Sequence, residues 1–181
     1  MFLRQSIRSD YCAVYAAATL AGLCGAVIDR KQALRSFGVR AGAWSGAPDL
    51  QVAQVLEGWL PGARAVWHHR RVRSIQQLLD CVSQLVPSGT YGLLAAMCRH
   101  TRHQVEADHA VVIVQAQPGS LRLIDPLSCP PRPNCISNAH VSTTSPQFAD
   151  RIAVDGAAWS FVTSQELRIM SLTLAEMVPT S

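Results

Sequence analysis

From Tyr11 to Leu23 the chain carries no charged residue, and its run of alanines with Val14, Leu20 and Leu23 leaves almost no polar face on the helix it favours. A helix apolar all round cannot lie on a surface, so the rest of the chain has to enclose it. Ser9 or Asp10 stands where it can cap the start, and Gly25 where it can close the end. Cys12 then falls in the first turn, where the aligned peptide dipoles favour negative charge and hence a thiolate. Taken alone, a cysteine there is more simply explained as a small apolar residue opening a core helix.

Enclosure needs material. The chain has 181 residues, 49% of them apolar and 15% charged, which excludes a disordered composition and predicts one domain over residues 1–181 with a sizeable core. The formal charge is +4, from 16 basic and 12 acidic residues. Part of that excess lies in His68-His69-Arg70-Arg71-Val72-Arg73 and in Arg99-His100-Thr101-Arg102-His103. Neither stretch comes with an aromatic stacking platform or a nucleic-acid motif, so they read as a solvated strand end and loop, and no nucleic-acid partner is expected. No stretch approaches the roughly 18 apolar residues of a membrane span, and residues 1–5 are too short for a signal peptide. The expectation is a cytoplasmic protein without a membrane span, with export by a signal-less route left open.

The six cysteines are scattered, which argues for free thiols rather than a disulfide framework. Cys24 and Cys81 fall on apolar helical faces and read as inert buried thiols. Cys129 and Cys135 flank a proline-rich surface loop. A zinc site from Cys98, His100, His103 and His109 would lack a paired CxxC or HExxH core, so neither metal nor cofactor is expected. Trp44 reads as a surface-anchoring aromatic.

Signals along the chain divide it into a helical part, about 1–88, and a strand-rich part, about 89–181, which together predict an α+β fold. Helices are expected over Arg30–Phe37 and, capped by Asp49, through Leu50, Val52, Val55, Leu56 and Leu60. A strand follows at Ala63–Trp67, then a helix capped by Ser74 and running to about Leu85. Tyr91–Cys98 is a strand, and a polar loop leads to His109, which opens a strand to Gln115. The turn Gln117-Pro118-Gly119-Ser120 folds that strand onto Leu121–Asp125 as a hairpin. Pro126 to about Gly156 reads mostly as loop, Trp159–Val162 as a strand, and Thr163-Ser164-Gln165-Glu166 as a capping box opening a final helix.

The hairpin is what gives Cys12 partners. It sets His109 and Asp125 at roughly opposing ladder positions, where a carboxylate accepts from an imidazole and fixes its tautomer. Individually, His109 reads as a strand-edge residue and Asp125 as an Asp-Pro turn signal. Together with Cys12 they make a nucleophile, a base and a residue that orients the base.

Gln5, Asp10-Tyr11-Cys12-Ala13, Asp108-His109 with its apolar strand, and Leu-Ile-Asp125-Pro126 resemble the C39 group of papain-like cysteine peptidases over most of the chain. The resemblance implies a papain-like fold in which the nucleophile helix is buried and packed on an antiparallel sheet. It also implies a thiol protease acting on a peptide or protein substrate through a thioester, with Cys12 attacking, His109 as base, Asp125 orienting it, and Gln5 with the Cys12 amide as oxyanion hole. Gln5 precedes Cys12 by seven positions, one more than is usual there, and Ala13 stands where that group commonly has Gly. A Cys-His-Asp acyltransferase or deamidase would use the same three residues, and a catalytically silent binding module would keep the fold without the chemistry.

Overall fold

A computed structural model describes residues 11–39, 46–72, 74–100, 105–117, 120–126, 137–142, 151–154, 157–160 and 166–175. Among these residues four helices, α1 (Cys12–Leu23), α2 (Arg30–Ser36), α3 (Asp49–Trp59) and α4 (Ile75–Leu85), accompany eight strands. These are β1 (Ala63–Arg70), β2 (Tyr91–His100), β3 (Val105–Gln117), β4 (Ser120–Ile124), β5 (Ser137–Ser142), β6 (Arg151–Val154), β7 (Ala157–Ser160) and β8 (Leu167–Leu174). The architecture is α+β, with helices on one antiparallel sheet.

The sheet runs β1-β8-β2-β3-β4-β5-β6-β7. β2 changes partners along one edge: Tyr91–Ala95 pairs with β8, and Cys98–His100 pairs with β7. That second pairing closes β2 through β7 into a ring, which covers edges that would otherwise stay open.

Alternation along the strands divides the core in two. Leu93, Ala95, Ala110, Val112, Ile124, Met170 and Leu172 pack with α1 to α3, whereas Leu94, Val111, Ile113, Leu123, Leu167 and Ile169 pack with α4. In α1 every residue from Val14 to Ala21 is buried, as an uncharged surface of small side chains requires. The helix ends by bonding Ala26 N–H to Ala21 O and Gly25 N–H to Gly22 O, with Gly25 at a left-handed φ of 94°. α2 starts on an Asp29 side chain that accepts from Gln32 N–H at 2.7 Å, and α4 on a Ser74 hydroxyl that accepts from Gln77 N–H at 3.2 Å.

Several expectations need correction. The N-cap of α1 is Tyr11, not Ser9 or Asp10, which lie outside the described residues. Pro48, not Asp49, is the N-cap of α3, because the Asp49 carboxylate is drawn to Arg168 at 2.9 Å. Leu50 is 70% exposed on α3, and the buried face is Val52, Ala53 and Leu56. β1 belongs to the sheet although it lies within the first, helical part of the sequence. β5 and β6 occupy part of the segment expected as loop, where their backbones find partners in β4 and β7. β7 covers Ala157–Ser160, earlier than the expected Trp159–Val162. Among the described residues no final helix follows: residues 161–165 lie outside them, and Leu167–Leu174 is a strand between β1 and β2. Both faces of that strand are covered, which removes the alternation that marks a half-buried strand.

Candidate active site

Cys12 is the first residue of α1, half-buried at the end of a helix whose body is wholly enclosed. Tyr11 supplies no side-chain cap, and the first turn holds no acidic residue, so the positive end of the helix dipole acts on the sulfur.

His109 reaches this point from β3. It does not open that strand, which begins at Val105 because Val105 and Glu106 pair with His100 and Arg99 of β2. His109 is thus a strand-interior residue, paired with Met97. Nor does Asp125 oppose it directly. Ile113 pairs with Leu123 and Gln115 with Arg122, so Val114 is an extra residue in β3 that moves the ladder by one. One step beyond the Val112–Ile124 pair, Asp125 comes level with Val111, diagonal to His109 and within reach of its long side chain.

The two side chains meet at 2.7 Å, His109 Nε2 to Asp125 Oδ1, and each is 1% exposed. Among the described residues of the core they are the buried imidazole and carboxylate, where an unpaired charge costs several kcal/mol. With Nε2 donating to the carboxylate, Nδ1 is left for Cys12, which hydrogen-bonds the imidazole. Burial by itself pushes His109 down. The hydrogen bonds to Asp125 and Cys12, with the charges those groups carry, outweigh it and raise the imidazole from 6.5 to about 9. The protonated ring therefore lies between two groups that favour its charge. A thiol, an imidazole and a carboxylate in this series can pass a proton from sulfur to nitrogen and hold the resulting cation.

The remaining expected positions divide clearly. Gln5 and Trp44 lie outside the described residues, as do Cys129 and Cys135 and the side chains of Cys98, His100 and His103. Cys24 and Cys81 are free and half-buried; burial raises both thiols, and Arg70 partly offsets this at Cys81. The basic stretch at the end of β1 is more structured than a solvated strand end. His69 stands 3.5 Å from both Asp49 and Glu166, and His68 Nε2 is 3.0 Å from the Ser171 hydroxyl. Nothing in the sequence signals that cluster, because Asp49 and Arg168 are 119 positions apart. Among the described residues no helix is long and apolar enough to cross a membrane.

No family model matches the chain, and no curated protein matches it. Among solved structures, it is similar to a Bacillus anthracis protein provisionally classed as a C39-like peptidase, with a TM-score of 0.51 and 15% identity. The match covers 97% of this chain and 96% of that one. At this identity the likeness is one of fold.

Proposed function

We propose that this protein is a cysteine peptidase, with Cys12 as nucleophile, His109 as base and Asp125 as the residue that orients the base. The observation that carries the reading is the buried 2.7 Å contact between His109 and Asp125, which aims the other imidazole nitrogen at a thiol on a helix N-terminus. A structural role alone gives no reason to bury an imidazole and a carboxylate together beside a half-exposed thiol. The fold shared with the Bacillus anthracis protein is consistent with it.

In this reading the Cys12 proton already rests on His109 Nδ1, and Cys12 Sγ attacks a substrate carbonyl carbon as the thiolate. The tetrahedral oxyanion is met by the Cys12 backbone N–H at the start of the helix and by the Gln5 side chain that the family resemblance implies. Collapse breaks the C–N bond, and the His109 proton leaves on the amine. Water, deprotonated by His109, then splits the thioester to the acid and restores the Cys12 thiolate beside the protonated imidazole. Asp125 holds the ring in the tautomer that both transfers need. The proposed substrate is a peptide or protein, and the fold of residues 1–181 is taken as a single catalytic domain.

The test is to incubate a peptide library with wild type and Cys12→Ala in ¹⁸O-labelled water and read new C-termini by mass spectrometry. The reading expects cleavage with one ¹⁸O incorporated by wild type and none by the variant. Transfer of the acyl group to an added amine without ¹⁸O uptake would make the protein an acyltransferase instead.

A further inference from the structure

On the side of the molecule formed by α2, Arg30, Lys31, Leu34, Arg35 and Val39 line an open groove of about 360 Å3, a size typical of small-ligand sites. The three cations are exposed at its rim, and Leu34 and Val39 form an apolar floor packed on the core. Among the described residues no ion pair engages Arg30, Lys31 or Arg35. The nearby Asp29 carboxylate is already bound to the Gln32 N–H at 2.7 Å. Val27, in the connection into α2, is 84% exposed, more than any other large apolar side chain described.

Cations around an apolar floor specify an occupant with carboxylates around an apolar side chain. A bare phosphate would gain nothing from Leu34 and Val39. A nucleic acid would find no aromatic face to stack on. A bilayer is met by several protruding apolar side chains, whereas among the described residues near the groove Val27 alone stands out. We propose that the α2 groove docks an acidic segment of a partner protein, with an aliphatic side chain on Leu34 and Val39 and flanking carboxylates on Arg30, Lys31 and Arg35. This surface is independent of the chemistry proposed for Cys12.

The probe is a fluorescein-labelled Glu-Glu-Leu-Glu-Glu peptide, with binding to the full chain read by fluorescence anisotropy at about 50 mM NaCl, where surface charges are weakly screened. Binding should weaken about tenfold or more at about 500 mM NaCl. It should also weaken at least about tenfold in the Arg30→Ala/Lys31→Ala/Arg35→Ala variant, since rim charges act mainly through complementarity. A serine in place of the peptide's leucine should cost about tenfold, from lost apolar burial. All three substituted side chains are exposed, so circular dichroism should report an unchanged fold. Equal binding by wild type and triple variant, or by a Lys-Lys-Leu-Lys-Lys peptide, overturns the proposal. So does binding of phosphatidylserine vesicles or single-stranded DNA in place of the acidic peptide.

Discussion

Replacing Asp125 by Asn keeps the size of the side chain that meets His109 at 2.7 Å but removes the charge that helps hold the imidazole protonated to about 9. The gap between 6.5 and about 9 is about 2.5 pH units, which at about 1.4 kcal/mol each is on the order of 3 kcal/mol. Both side chains are 1% exposed, so solvent screens little of it. A folded-state value above the unfolded one means that the stabilisation is fully present below about 6.5 and is lost as pH rises through about 9. Without the carboxylate, Cys12 alone is left to oppose burial, and the imidazole falls from about 9. Urea unfolding of wild type and Asp125→Asn at pH about 6, 7.5 and 9.5 should therefore show a stability difference that shrinks across the range by up to about 3 kcal/mol. A difference that stays constant with pH would mean that Asp125 acts on the fold through packing or a neutral hydrogen bond, and would refute the charge coupling.

Gln5→Ala should lower kcat by about a hundred- to a thousandfold in a peptide-cleavage assay while leaving Cys12 alkylation unchanged; a loss under about threefold removes Gln5 from the oxyanion hole. Gly92→Ala would drive a Cβ into the Met170 carbonyl and to 2.8 Å from Val86 Cγ2, so Tm should fall by about 10 °C, and a fall under about 2 °C would contradict the close approach of β2 and β8. Ser74→Ala should cost about 1 kcal/mol in urea unfolding through the lost cap on α4, with Ser74→Asp restoring most of it.

Features written in neighbouring residues were legible in the sequence. The uncharged run after Tyr11, the glycines at 25 and 38 and the cap at Ser74 act within one helix turn, and the structure places α1, α2 and α4 close to where they predict. β8 was not legible because its signal is tertiary. Leu167–Leu174 carries apolar residues for two faces, and the Thr163–Glu166 signature ahead of it favours a helix only in the absence of β1 and β2 on either side. β5 and β6 lie in a segment rich in Pro, Ser, Asn and Thr, and although they pair with each other and with their neighbours β4 and β7, the ring is closed by β7 on the far earlier β2. At the site, Cys12 at the helix start and the strand pair carrying His109 and Asp125 were readable, though His109 lies inside β3 rather than at its start. Their register was not, since the extra residue at Val114 leaves no compositional mark.

The pairing of Cys12 with His109 is tested most directly by iodoacetamide labelling across a pH series, read by mass spectrometry for each cysteine in wild type and in His109→Ala. Cys24 and Cys81, whose thiols burial pushes up, are internal standards. The account predicts that Cys12 is alkylated selectively below pH about 8 in wild type and that His109→Ala removes this advantage. If Cys12 reacts no faster than Cys24 and Cys81, or reacts alike in both proteins, the imidazole does not activate the thiol and the peptidase reading fails.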